Sequence, residues 1–338
     1  MSIRRVFLAA VLAVVPAIWL AAQQYTIKFA TLAPEGSTWI KVMRELDSTL
    51  RAQSGGRLGF RLYPGGVAGD EKDVIRKIRL GQYGGGGFTG VGVGEVAKKV
   101  RILDAPLFFK SYDEVEYIQQ KYQKDFEQSF EDGGFVLLGW AEVGFIYVFS
   151  SKLVRSFGDL RALKPWMWEG DPIAQSAYQA IGVSPVQLSA TDVMTSLQTG
   201  MVDAVYASPY TLIALQWFTR VTYAMTQPLA DALGAAIISR KIYDSLPDDL
   251  KGLLVTTSRK YISRLTAASR RDNAKAIETL KARGIKFVAA PPEIASEFET
   301  IGRKARQLLV GTLYSQEFLD DVERSLAEYR AEHPAPSK

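Results

Sequence analysis

One histidine and no cysteine in 338 residues leave few parts for side-chain catalysis. His333 stands in the C-terminal tail beside Pro334. Ser–His triads, Cys–His pairs and histidine-based metal sites therefore lack their components, and disulfides and thiolate chemistry are excluded. Glu169 and Asp171 are two residues apart and invite the test for paired acids that cleave glycosides. Asp171 precedes Pro172, however, and reads better as a helix N-cap with proline in the first turn. The runs Gly84–Gly87 and Gly90-Val-Gly-Val-Gly94 resemble phosphate loops only in composition. No Gly-Lys-Ser/Thr follows and the spacing misses G-x-G-x-x-G. A strand-to-loop segment whose backbone approaches a ligand or a second lobe is the better reading. The chemistry left is binding without an enzyme mechanism or a cofactor. No metal motif is present, although carboxylates and carbonyls can bind calcium without one.

The elements that must position such a site begin after a leader. Arg4 and Arg5 precede an apolar run from Val6 to Leu20, and small Ala21 and Ala22 precede Gln23. This is the layout of a secretory signal peptide at 1–22, cut after Ala22, and it places the mature protein in the periplasm. The apolar run is short for a span of about 20 residues. The mature chain of about 315 residues exceeds what one core usually supports, so two lobes are expected. The net charge of +5 falls to +3 without Arg4 and Arg5. Its basic residues are scattered, and nothing pairs a basic run with exposed aromatics as nucleic-acid binding requires.

Tyr25–Ala30 alternates as a strand, and Trp39, Val42, Met43, Leu46 and Leu50 recur at helical spacing. Arg57–Tyr63 reads as a second strand, and Asp70–Leu80 as a helix stopped by Gly81. Strand-like runs follow at Val136–Trp140, Phe145–Phe149, Val202–Tyr206, Ala235–Ser239 and Ile285–Val288. Pro247 to about Arg283 carries one glycine and no further proline, which predicts one long helix or two end to end. Pro292–Val310 and Gln316–Glu332 are amphipathic. The order predicts an α/β protein with mostly parallel sheets flanked by helices. No flexible linker separates the lobes, so more than one chain crossing is expected.

Several segments, in order, resemble the solute-binding proteins of TRAP transporters, of the DctP type. They are Ile27–Pro34 with Trp39, Tyr63-Pro-Gly-Gly-Val-Ala-Gly-Asp-Glu71 with Ile78–Gln82, Leu103–Lys110, and Val186–Ser189 with Leu197-Gln-Thr-Gly-Met-Val-Asp203. The resemblance spans nearly the whole mature chain. It implies a two-lobed periplasmic binding fold that closes on a small solute and delivers it to membrane permease subunits, with an accessory periplasmic protein as a further possible partner. The expected lobes are 23–142 plus 234–272 and 143–233 plus 273–332, with a frayed tail at 333–338.

The chain departs from that family where it usually clamps a ligand carboxylate. After Asp159-Leu-Arg-Ala-Leu-Lys164 the family reads Ile-Arg-Val; here Pro165 and Trp166 follow, with the indole at the arginine position. A second arginine often follows Gly-Phe, but Gly144-Phe145 is followed by Ile146. An indole cannot form the bidentate ion pair of a guanidinium, and an unpaired buried carboxylate costs several kcal/mol. Aromatic walls favour an apolar, aromatic or cationic guest. Trp166 and Trp168 share one strand face and are expected to line the cleft, with Glu169 at its edge. The candidate ligand-binding residues are Trp39, Thr89, Phe145, Ile146, Trp166, Trp168, Glu169, Ser189, Tyr206 and Tyr210. A second reading keeps a carboxylate ligand with Arg61, Arg79 or Lys28 as a relocated anchor. A third makes the protein a periplasmic lipid carrier or sensor without transport.

Overall fold

The computed structural model describes residues 24–292 and 295–334. The expected signal peptide at 1–22 lies outside them, as does 335–338 of the expected frayed tail. Among the described residues twelve strands form two five-stranded sheets and a small pair. The first sheet contains β1 (Tyr25–Thr31), β2 (Leu58–Tyr63), β3 (Gly85–Thr89), β4 (Phe135–Trp140) and β11 (Gly234–Ser239), in the order β2-β1-β3-β11-β4. The second is built on β5 (Gly144–Ser150), which pairs with β8 (Ala204–Ala207), β9 (Tyr223–Met225) and β10 (Ala230–Ala232); β12 (Lys286–Val288) extends it beside β9. The small pair, β6 (Trp166–Trp168) and β7 (Val186–Leu188), is parallel. An isolated bridge from Pro165 to Ala204 ties it to the second sheet.

The chain crosses between the sheets along a two-stranded ribbon. β4 runs through Ala141–Val143 into β5, and β10 runs straight back into β11. Amides of Ala141 and Val143 donate to the carbonyls of Gly234 and Ala232 at 2.7 and 3.0 Å. The crossing strands correct the expectation of mostly parallel sheets. β11 is antiparallel to β3 and β4, and β5 is antiparallel to β8, β9 and β10. A strand arriving from the other lobe enters from the cleft end and so runs against its neighbours, which are linked by crossovers of ordinary hand.

Each large sheet is covered on both faces. The helix Thr38–Gln53 and the long helix Asp248–Ala282 close one face of the first sheet, burying Met43, Leu46, Leu254 and Ile262. On the other face Phe88, Val100, Phe126 and Phe130 pack with Phe318 and Val322 of the helix Gln316–Glu332. That last helix therefore shares the core of the first lobe, where the sequence had placed 273–332 in the second. The tight turn through Gly311 returns the chain at that point, and the helix's apolar stripe finds Phe126 and Ile118 there. The second sheet packs Trp166, Val205, Leu212 and Trp217 on one face. Val148, Met167, Tyr178 and Phe298 fill the other. The long helix is single and unbroken over 35 residues, about 52 Å at 1.5 Å per residue. It spans both lobes, with Leu254 and Ile262 in one core and Leu280 in the other.

Gly87 in β3 and Gly90 directly after it pack against side chains of their own lobe as well as facing the space between the lobes. A Cβ on Gly87 would lie 2.0 Å from the Trp39 ring, and one on Gly90 would lie 1.8 Å from Asp104 Oδ2. These positions are empty so that an indole and a buried ionic group can lie against backbone.

Gly234 occupies the ribbon where backbone meets backbone, since a Cβ there would stand 1.9 Å from the Ala141 carbonyl oxygen. Gly234→Ala is expected to destabilise the protein by about 1–3 kcal/mol, the usual cost of overpacking. A thermal melt of the purified variant within a degree of wild type would contradict this.

Candidate functional site

A cavity of about 280 Å³ lies between the two sheets. The first lobe supplies the loop Thr31–Pro34, Trp39, and Gly87–Val91 at the end of β3. The second supplies Ile146 and Val148 of β5, Trp166 and Trp168 of β6, and Tyr206 with Tyr210. Alternation along β5 decides which of its residues meet the cavity. Ile146 and Val148 line it, whereas Phe145 packs on Tyr112 with ring centroids 4.8 Å apart.

The aromatic wall is itself a packed unit. Trp166 is 2% exposed and stacks on Tyr206 at 4.7 Å, with Trp217 edge-on at 5.5 Å and Trp168 at 5.9 Å. Its Nε1 donates to the Leu188 carbonyl at 3.0 Å, so its polar atom is satisfied and its face is apolar. Trp166 thus belongs to both the lobe core and the cavity wall. Across the cleft Trp39 stacks against Phe29 at 6.2 Å.

Among the described residues six charged side chains line the cavity: Glu71, Arg101, Asp104, Glu142, Asp171 and Asp231. Arg101 is the one cation among them, and it is already engaged. Its Nε donates to Asp104 Oδ2 at 2.5 Å and its Nη2 to Asp171 Oδ1 at 2.9 Å, with all three side chains buried. Burial opposes the guanidinium charge, but attraction to Asp171 and Asp104 outweighs it and raises the pKa further. Asp104 also accepts from the Leu233 amide at 2.5 Å. Asp171 caps the helix Pro172–Ile181 by accepting from the Ile173 amide, as the sequence indicated.

The other acids differ in how they are met. Glu71 accepts from the amides of Thr89 and Gly92 at 2.8 Å each and from Thr89 Oγ1 at 2.9 Å. Burial nevertheless lifts its pKa to about 7. Glu142 is held by Arg270, whose Nε and Nη2 donate at 2.9 and 2.6 Å; burial still moves it upward. Asp231 is 1% exposed, and its Oδ1 has no partner. Burial first, then Glu142 and Asp104, push its pKa well above the carboxylate range.

Hydrogen bonds across the cleft hold the lobes together. Asp70, at the start of the helix Glu71–Arg79, accepts from Trp168 Nε1 at 3.1 Å, Ser189 Oγ at 2.5 Å and the Ala190 amide at 3.0 Å. Lys72 Nζ donates to the Gly170 carbonyl at 2.9 Å. The Thr38 amide donates to the Tyr210 hydroxyl at 3.1 Å. With the Arg101–Asp171 pair, these contacts describe a closed arrangement of the cleft.

Of the residues singled out in the sequence, Trp39, Thr89, Ile146, Trp166, Trp168, Tyr206 and Tyr210 come together on the cavity wall. Phe145 faces away from it. Ser189 serves the Asp70 contact rather than the wall, and Glu169 is exposed outside it. Lys28, Arg61 and Arg79 are exposed, Arg61 over Tyr63 and Arg79 on the Glu95 carbonyl, so none of them replaces the absent arginine. Sequence reasoning missed Arg101, Asp70 and Asp231. Arg101 carries one readable signal: a charged pair spaced i, i+3 inside the apolar run Val100–Leu107. Among the described residues no group of three or more acids or histidines is arranged to hold a metal ion.

Trp168→Phe keeps a ring beside Trp166 and removes the donor to Asp70. A hydrogen bond to a charged group contributes about 1.5–3 kcal/mol, so the ligand-free variant should show a larger radius of gyration in small-angle scattering. Identical scattering would mean that this contact does not hold the lobes. Glu71 takes up a proton on folding in the window from 4.5 to about 7, and Asp231 acts in the same sense. An acid whose folded pKa is raised binds more protons folded than unfolded there, so stability falls as pH rises through the window. Melting temperatures should decline from pH 5 to 7, and Asp231→Asn should flatten part of that slope; a slope unchanged in the variant would remove Asp231 from the account.

Residues 29–308 match the family described as bacterial extracellular solute-binding protein, family 7, or DctP. A solute-binding protein of Verminephrobacter eiseniae is 24% identical over 293 residues, covering 82% of this chain and 86% of that one. The 2,3-diketo-L-gulonate-binding periplasmic protein YiaO of Escherichia coli is 22% identical, covering 79% and 81%. The crystal structure of a TRAP periplasmic solute-binding protein from Pseudomonas putida F1, with bound D-glucuronate, has a TM-score of 0.81 and 22% identity, covering 93% and 98%. With its two α/β lobes and a cavity enclosed between them, the chain belongs to the DctP family of TRAP solute receptors.

Proposed function

We propose that this receptor binds a small non-anionic ligand, apolar, aromatic or amphipathic, and delivers it to the membrane subunits of a TRAP-type permease. The supporting observation is Arg101. Among the described residues it is the one cation on the cavity wall, and two buried carboxylates hold it. A ligand carboxylate would have to displace Asp104 or Asp171 and leave that acid buried without its partner, at a cost of about 3–5 kcal/mol. The rest of the wall offers indole and phenol faces and aliphatic side chains. Such surfaces reward removal of apolar area from water at about 25 cal/mol per Å². The proposed address is the periplasm, reached through a signal peptide at 1–22 cut after Ala22. The lobes are proposed to divide at the β4–β5 and β10–β11 crossings and within the long helix near residue 272.

Two of the relatives named above are described with acidic sugars, 2,3-diketo-L-gulonate and D-glucuronate, which favours a second reading in which Arg101 itself is the relocated anchor. The two readings separate in one screen of the purified protein by thermal shift. D-Glucuronate, C4-dicarboxylates, sialic acid and 2-oxoacids should each leave the melting temperature nearly unchanged. A specific ligand at about a hundred times its Kd would add about 2.7 kcal/mol. Mass spectrometry of ligand released from the protein as purified should find a neutral or cationic compound. A strong shift with an acid, lost in Arg101→Lys, would replace the present reading with the second.

A further inference from the structure

We infer that the ligand carries an ammonium group, and that Asp231 on the ribbon between the lobes is the residue that receives it. The inference rests on the non-anionic reading of the cavity and specifies the ligand's polar end. Each of the other acids on the wall has its donors. Asp104 and Asp171 share Arg101, Glu142 has Arg270, and Glu71 has two amides and a hydroxyl. Asp231 lines the cavity, is 1% exposed, and its buried Oδ1 has no hydrogen-bond partner among the described residues. A buried carboxyl left without a donor is costly, and a ligand that supplies the donor accounts for it.

Charge decides which donor. Asp104 and Asp171 share Arg101 and Glu142 has Arg270, so three carboxylates stand against two guanidiniums here, and an ammonium at Asp231 would favour its ionised form where an anion would oppose it. The aromatic faces act in the same sense, because ring quadrupoles attract cations. Trp166, Tyr206 and Trp168 form a contiguous aromatic surface for the apolar part of such a ligand. An aryl- or alkylammonium satisfies the unmet carboxyl and the aromatic wall together.

Three probes of one shape test this on the purified full-length mature protein by calorimetry: 3-phenylpropylammonium, 3-phenylpropan-1-ol and 3-phenylpropionate. The ammonium should bind at least about tenfold more tightly than the alcohol, and the propionate most weakly. Asp231→Asn, nearly isosteric, should remove the ammonium's advantage over the alcohol. The wild-type ranking stands as the test should that variant fail to fold. An alcohol that binds as tightly as the ammonium would overturn the inference and leave the non-anionic receptor standing. A propionate that binds most tightly would overturn both. An ammonium preference that survives in folded Asp231→Asn, or failure of all three to bind, would equally overturn the assignment.

Discussion

The arrangement turns on one buried guanidinium. Arg101 stands in the first lobe beside Asp104 and reaches Asp171, which caps the helix Pro172–Ile181 of the second lobe. A charge this deep is tolerated only where both its hydrogen bonds and its counter-charges are supplied. Here the supply comes from both lobes, so the pair can form only when the cleft is closed. The surrounding packing follows from that need. Gly90 and Gly94 leave room for the charged cluster, since a Cβ on either would lie 1.8 Å from Asp104 Oδ2 or 3.1 Å from Arg101 Nη1.

The same pair determines what the cavity does not offer. A guanidinium facing a cleft is the usual means of holding a carboxylate, through a fork that matches two oxygens. In this chain both arms of the fork are taken by the protein's own acids. Trp166, on the wall of the cleft, directs its one donor to the Leu188 carbonyl and so offers the cavity an apolar face. The consequence is a wall of aromatic faces backed by acids that are paired or hydrogen-bonded, except at Asp231 Oδ1. The lobes close through Asp70 and its three donors as well as through Arg101, so closure draws on contacts that the ligand does not make.

The hinge supports this economy of contacts. Two strands cross side by side, and the long helix binds both cores, so rotation of the lobes is confined to a narrow band of backbone. Asp231 lies in that band, between Ala230 and Ala232 on β10. A group bound there would meet both lobes at once, which is how ligand binding and closure become linked.

Local pattern was enough to read the α/β class, the helix at Thr38–Gln53 with its apolar stripe, the helical stretch after Pro247 and the Asp171 cap, while whether that stretch was one helix or two was left to the fold. These depend on periodicity and capping, which act within a few residues. The aromatic residues of the wall were readable for the same reason, and Trp39, Trp166, Trp168, Tyr206 and Tyr210 do meet around one cavity. Three further things were decided only by the tertiary structure. The antiparallel sense of β5 and β11 comes from the direction in which a crossing strand enters a lobe. The docking of Gln316–Glu332 on the first lobe comes from which core had an open apolar face. The role of Arg101 comes from Asp171, a partner 70 residues away. Sequence spacing carries no information about which distant acid will neutralise a buried cation. That choice belongs to the fold, because desolvation makes a charge depend on whatever the packing brings within reach.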